Sequence, residues 1–266
     1  MQYKKVLSIA GSDSGGGAGI QADIKTISAL GCYAATAITA VTVQNTIGVE
    51  CVHPVPIGII EGQIEAVLSD IGADAVKIGM LHSAEVVQTV GKMLRKYNIN
   101  NVVLDPVMVS TSGHRLIEDS AVATLQAELI PLARVITPNI PEAEILLGGE
   151  RLDAQDALPE AAQKLAHIYN VSVLLKAGHL KDDKLIDYFC DAESGEMLEL
   201  PSQRIQTRNT HGTGCTMSSA FASLLAKGET LQEAAKGAKD FITKAIIAGA
   251  KYEIGHGHGP VKWIRD

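Results

Sequence analysis

The run Asn209-Thr210-His211-Gly212-Thr213-Gly214-Cys215-Thr216 joins a glycine-rich turn to a segment of helical periodicity. Glycines let the backbone fold tightly and aim several N–H groups at one point, and a helix starting there adds the positive end of its dipole. Such a turn is built to hold an anion. Cys215 falls in the first turn of that helix, where the same field is expected to lower a thiol's pKa and raise its thiolate fraction. A base would then stand beside a phosphate site. The alternative is an ordinary tight turn followed by a small, inert cysteine.

Other residues with chemical potential recur just after short apolar runs. The first run ends in Gly11-Ser12-Asp13-Ser14-Gly15-Gly16-Gly17-Ala18-Gly19, which opens a helix carrying Asp23 and Lys25. This cluster is not a dinucleotide fingerprint, because Ile20 stands where the last glycine belongs, nor a Walker loop, because Gly16 is followed by Gly17. It leaves either close backbone approach to a small ligand or plain turn chemistry. Gln44 follows the second run, and its planar amide offers one donor and one acceptor, the pattern that matches an aminopyrimidine edge; a surface glutamine is the competing possibility.

Asp105, and Asn139 with Glu142 in Thr137-Pro138-Asn139-Ile140-Pro141-Glu142, end two further runs. One or two such carboxylates with waters suffice for Mg²⁺ on a polyphosphate, while Asn139 and Glu142 also fit a helix cap. Lys176 closes Val171-Ser172-Val173-Leu174-Leu175 and is either a phosphate-binding cation or a lysine reaching solvent from a strand end. His256 and His258 lack a third ligand and make a weak metal motif.

These residues need a scaffold that gathers strand ends. Buried-strand runs at residues 5–10, 34–43, 75–78, 101–104, 134–136 and 171–175, with helical segments between, predict a parallel sheet covered by helices on both faces. In such sheets ligands bind beyond the carboxyl ends of the strands, so one rim should collect the polar residues. Residues 184–200 predict an antiparallel hairpin, and two helices, 213–227 and 230–252, close the chain. The polar segment 109–115 is a candidate lid.

The chain has 266 residues with no linker, repeat or low-complexity tract, which predicts a single domain over residues 1–266. A net charge of −7 disfavours nucleic acid or an anionic membrane as partner and confines any phosphate site to a local pocket. Four scattered cysteines, an opening apolar run too short for a secretory signal and no membrane-length apolar stretch predict a cytoplasmic protein.

With these residues in view, the chain resembles the hydroxymethylpyrimidine and phosphomethylpyrimidine kinases of thiamine biosynthesis, in the ribokinase-like superfamily. The resemblance runs from Ile9-Ala10-Gly11-Ser12-Asp13 and Gly19-Ile20-Gln21-Ala22-Asp23 to Gly255-His256-Gly257-His258-Gly259-Pro260, through Val43-Gln44-Asn45-Thr46, Lys77-Ile78-Gly79-Met80 and Asp105-Pro106-Val107-Met108. It implies a three-layer α/β/α sandwich around a mainly parallel sheet, a homodimer, and ATP with Mg²⁺. By that resemblance Gly212, Thr213 and Gly214 form the anion hole, Cys215 replaces the usual aspartate base, and Lys176 touches the ATP phosphates. Asn139, Glu142 and Asp105 would organise Mg²⁺, with Asn139, Asp105 and Thr213 also serving the nucleotide. Gln44, Gly11, Asp23, Thr42, Met80 and Val107 would bind the aminopyrimidine alcohol and its monophosphate. Pyridoxal kinase of the same superfamily is the nearest alternative; Ser110, where related pyridoxal kinases carry a second cysteine, weighs against it. A non-catalytic pyrimidine sensor is the more remote alternative.

Overall fold

The structure, a computed structural model, describes residues 3–108 and 117–263. The candidate lid, with Ser110, lies outside the described residues. In chain order the elements are β1 (Lys5–Asp13), α1 (Gly19–Ala29), β2 (Tyr33–Gln44), β3 (Val49–Pro54), α2 (Ile57–Ala66), β4 (Ala75–Ile78), α3 (Ala84–Lys96), β5 (Val102–Leu104), α4 (Asp119–Thr124), β6 (Val135–Ile136), α5 (Ile140–Leu146), α6 (Leu158–Tyr169), β7 (Ser172–Leu175), β8 (Lys184–Cys190), β9 (Met197–Gln203), α7 (Thr213–Lys227) and α8 (Leu231–Gly249). The strands join one nine-stranded sheet in the order β3-β2-β1-β4-β5-β6-β7-β8-β9. The six strands from β2 to β7 in that order pair in parallel, and β3, β8 and β9 are antiparallel additions at the two edges.

Side chains alternate across a strand, and that alternation sorts the core into two layers. Leu7, Ile9, Val76, Ile78, Val102, Leu104, Val173 and Leu175 pack with helices α2, α3, α5 and α6. Val6, Ala75, Val103, Val135 and Leu174 face α1, α7 and α8. Helices therefore cover both faces, giving the expected α/β/α sandwich. The same phase carries Ser8, Lys77, Asp105, Thr137 and Lys176 to the α7 side, because each lies two residues, or one pleat repeat, beyond an apolar residue of that face. The polar strand ends thus collect under the start of α7.

Two differences from the sequence expectation matter for the site. Strand β1 runs on to Asp13 with a bulge between Ala10 and Ser12, so it delivers Asp13 beside Thr42 of β2. Strand β3 was not expected: its residues are mostly exposed and it ends at Pro54, as suits an edge strand. By pairing with β2 it keeps Thr42 and Gln44 in extended backbone.

Candidate active site

Helix α7 starts from Gly212, whose φ of 76° is left-handed. A side chain there would also overlap the Gly17 carbonyl, and one at Gly17 would strike the His211 ring. The two glycine-rich turns therefore interlock backbone to backbone. A third segment braces them: His211 N–H donates to the Gly259 carbonyl at 3.0 Å, and His258 N–H to the Thr46 carbonyl at 2.8 Å. Side chains at Gly255 and Gly257 would collide with Thr46, so the glycines of the His256–His258 motif serve close packing against the Gln44-bearing loop. No group of three metal-ligating residues occurs among the described residues.

Beneath the α7 start lie two lysine–aspartate pairs. Lys176 Nζ is 2.8 Å from Asp105 Oδ1, which also accepts from Thr137 Oγ1 at 3.0 Å. Gly214 sits over this pair: a Cβ there would stand 3.2 Å from Lys176 Nζ and 3.4 Å from Asp105 Oδ2. Burial acts against the Asp105 charge, but Lys176 and Lys77 outweigh it and hold the carboxyl below its usual pKa. Glu142 is a different case. Burial, with Asp105 adding to it, pushes its carboxyl up to about 7 against the pull of Lys176. Asn139 and Glu142 form a reciprocal cap, Asn139 Oδ1 accepting from Glu142 N–H at 2.9 Å and Glu142 Oε2 from Asn139 N–H at 2.8 Å.

Cys215 lines the same cavity, half-buried, with its sulfur against the Gly19 N–H. The expected depression of its pKa is not found. Burial pushes the thiol up to about 11; Lys77 pulls against it, and the nearby carboxylates of Asp23 and Asp105 add to the rise. A helix N-terminus acts over one turn, whereas here desolvation and two negative charges act on the same sulfur. At neutral pH Cys215 is a thiol.

The cavity has a volume of about 540 Å³. Gly11, Thr42, Gln44, Met80, Val107, Asp105, Asn139, Glu142, Lys176, Gly212, Thr213, Gly214 and Cys215 all line it, so segments far apart in sequence meet there. Asp23 does not. It is fully buried behind the wall, both oxygens 2.9 Å from Lys77 Nζ, with Ser8 Oγ and Ser219 Oγ donating at 2.6 and 2.7 Å. Every acceptor site facing inward is used, which leaves no group for a substrate.

Three parts of the site escaped the sequence. His211 lies inside the anion turn yet bonds Asp13, Nε2 to Oδ2 at 2.8 Å. Lys77 was legible only as part of an apolar run. The far half of the cavity is walled by Leu185, Ile205, Ile242 and Ile246, with Thr243 and Arg204 at its edge. Ile242 and Ile246 are spaced i, i+4 on α8, a signal indistinguishable from a core stripe until the hairpin β8–β9 is placed opposite. One cavity thus joins an apolar slot between β8–β9 and α8, a cationic and N–H-rich centre at the α7 start, and a polar pocket at the end of β2. It suits a nucleotide whose phosphate tail meets a second small molecule at the α7 start.

Known proteins bear on the same point. The phosphomethylpyrimidine kinase family profile matches residues 13–262. The chain is 47% identical over 264 residues to the hydroxymethylpyrimidine/phosphomethylpyrimidine kinase of Rhizobium meliloti (strain 1021), covering 98% of each chain. Among solved structures it is similar to phosphomethylpyrimidine kinase from Clostridium difficile 630, with a TM-score of 0.80 and 42% identity over 91% of this chain and 99% of that one. It is also similar to an ADP complex of Bacillus subtilis pyridoxal kinase, with a TM-score of 0.89 and 38% identity over 98% and 97% of the two chains. With the cleft, the interlocked glycine turns and a match along nearly the whole sequence, the chain belongs to the phosphomethylpyrimidine kinase family.

Proposed function

We propose that this chain transfers the terminal phosphoryl group of ATP to the hydroxymethyl oxygen of 4-amino-5-hydroxymethyl-2-methylpyrimidine, and then phosphorylates the monophosphate product. One observation carries the assignment of roles: Lys176, Asp105 and the α7 start at Gly212–Cys215 converge between the apolar slot and the Gln44 pocket of one cavity. The slot of Leu185, Ile205, Ile242 and Ile246 takes the adenine ring, and Gln44 takes the pyrimidine edge.

Phosphoryl transfer is mostly a matter of positioning and of neutralising charge. The first N–H groups of α7 have no partners within the helix and point at the transferring group. Lys176 leaves Asp105 for the phosphate oxygens, and Thr213, whose hydroxyl donates to Thr210 O at 3.0 Å, holds the turn in shape. Hard oxygen donors at Glu142 and Asp105 line the centre, and they fit Mg²⁺ held largely through water; Asn139 positions Glu142. When bound, Mg²⁺ supplies neutralising charge to the polyphosphate. Because the thiol holds its own proton in the resting site, Cys215 takes the alcohol proton only late, as it passes its S–H proton to an oxygen of the transferring phosphoryl group and the new O–P bond forms.

The enzyme acts in the cytoplasm as a homodimer, paired across the β2–β3 face where Val41, Val43 and Ile47 stand exposed. Sedimentation at micromolar concentration checks that. Activity is tested by incubating the protein with MgATP and the pyrimidine alcohol and following both products with time. ADP release independent of the pyrimidine contradicts the assignment. Cys215→Ala is expected to bind both substrates and slow turnover roughly a hundredfold or more. Pyridoxal offered at equal concentration should show the lower kcat/KM.

A further inference from the structure

Gln44 sits among donors and acceptors whose proton count fixes which way its carboxamide faces. Thr42 Oγ1 lies 2.9 Å from the Ser12 carbonyl oxygen and 3.2 Å from the carboxamide position occupied by Gln44 Oε1. A hydroxyl has one proton, and a carbonyl can only accept, so Thr42 gives its proton to Ser12 and shows Gln44 a lone pair. On the other side His211 Nε2 lies 2.8 Å from Asp13 Oδ2 and 3.3 Å from the position occupied by Gln44 Nε2. Asp13 already accepts from the N–H groups of Gly15, Gly17 and Ala18 at 2.8, 3.0 and 2.8 Å. A nitrogen facing such a carboxylate carries the proton and has no lone pair left, so His211 cannot accept from Gln44; its one N–H points to Asp13 and offers Gln44 only the longer branch of a three-centre bond.

Nitrogen toward His211 and oxygen toward Thr42 would therefore set donor on donor and acceptor on acceptor. A half-turn of the amide removes both mismatches at unchanged positions: Gln44 nitrogen then donates to Thr42, and Gln44 oxygen takes the longer branch of the His211 N–H whose shorter branch goes to Asp13. We propose that Thr42 and the Asp13–His211 pair lock the Gln44 carboxamide in one orientation, nitrogen toward Thr42 and oxygen toward His211, and that this lock selects 4-aminopyrimidines over 4-oxopyrimidines. This rests on the assignment of Gln44 to the pyrimidine edge.

The lock is built rather than incidental. Thr42, Asp13 and His211 are 5, 3 and 8% exposed, so bulk solvent reaches their contacts little. Burial works against the Asp13 charge, yet the His211 contact and the N–H groups around it hold the carboxyl below its usual pKa, which keeps it an acceptor at neutral pH. Ser14 fixes the Gln44 backbone as well, its hydroxyl accepting from Gln44 N–H at 2.9 Å and donating to Gln44 O at 2.7 Å. The second amide proton and the second oxygen lone pair are then left for the ligand. They match the ring nitrogen and amino group of a 4-aminopyrimidine. A 4-oxopyrimidine carries N–H and C=O in those places, the reverse pattern, and reversing Gln44 to suit it would lose both locking contacts.

Two measurements test this. In ligand-free protein labelled with ¹⁵N-histidine, Nε2 of His211, assigned by its loss in His211→Asn, should resonate as a protonated nitrogen; an unprotonated Nε2 overturns the lock. The second compares kcat/KM for the 4-amino alcohol and its 4-oxo counterpart. The wild type should favour the amino compound by roughly a hundredfold or more, as expected where the wrong ligand leaves buried polar groups unpaired. Thr42→Val should narrow that ratio by about tenfold, chiefly through KM, and Thr42→Ser should restore it. An unchanged ratio in Thr42→Val, with the preference abolished in Gln44→Ala, sinks the lock and leaves the pyrimidine contact standing. Full preference retained in Gln44→Ala removes Gln44 from the pyrimidine and overturns both.

Discussion

Of the lysine–aspartate pairs on the α7 side of the sheet, the two beneath the α7 start differ in how the carboxylate holds its lysine. Asp23 and Lys77 are both fully buried; Lys77 Nζ is 2.9 Å from each oxygen, and two serine hydroxyls complete the set. Asp105 and Lys176 are 2 and 13% exposed, joined by one contact of 2.8 Å, and open into the cleft. The same residue types serve different ends. Lys77 also borders the cleft but is held by both oxygens of a fully buried carboxylate, whereas Lys176, held on a single oxygen, can exchange that oxygen for a phosphate. The closed pair ties β1, α1, β4 and α7 together, and the open pair works on that platform.

The largest expected effect comes from breaking the closed pair. Lys77→Met leaves a buried, uncompensated carboxylate at Asp23 and should cost about 3–5 kcal/mol of stability by urea denaturation. Adding Asp23→Asn, which removes the charge while keeping polar atoms for Ser8 and Ser219, should recover much of it. A loss below about 1 kcal/mol in the single variant would erase the distinction between the pairs.

Lys176→Met attacks the open pair. Asp105 keeps Thr137 and the field of Lys77 and borders the cleft, so the fold should persist, while kcat falls by about 10²–10³, the range for losing one charge-stabilising group. Steady-state kinetics and denaturation on the same sample separate the two. If Lys176→Met loses as much stability as Lys77→Met and turns over like the wild type, the roles assigned to the pairs are exchanged.

The contrast also shows what the sequence made legible. Asp105, Asn139, Glu142 and Lys176 announced themselves because each follows an apolar run, and chain topology brings such ends to one rim. Asp23 lies on a helix and Lys77 within a strand run, so nothing in their spacing revealed that they meet; that contact depends on how α1 packs on β4. Strand β3 was hidden because its half-exposed residues lack the apolar alternation of a core strand. Ile242 and Ile246 read as core since an apolar slot and an apolar core share one periodicity. The direction of the Cys215 shift was misjudged for a related reason. The helix start is local and visible in sequence, but the burial and the two aspartates that outweigh it come from segments about a hundred or more residues away.

That last point yields the subtlest test. An acid whose charged form is disfavoured by folding ionises late: the Cys215 thiol, at 9.0 when unperturbed, moves to about 11. Below pH 9 both folded and unfolded chains hold the proton and the group is neutral in its effect. Between pH 9 and 11 the unfolded chain gains thiolate first, so the fold loses stability as pH rises through that window. Alkylation by iodoacetamide, followed on the peptide containing Cys215, should therefore still rise about tenfold per pH unit at pH 9.5, since the rate tracks the thiolate fraction. A plateau reached below pH 8.5 would mean that the anion turn and Lys77 prevail over burial. Cys215 would then be a resting thiolate and a base before transfer begins, and the division between a closed pair that shapes the site and an open pair that acts in it would have to give Lys77 a direct part in the chemistry.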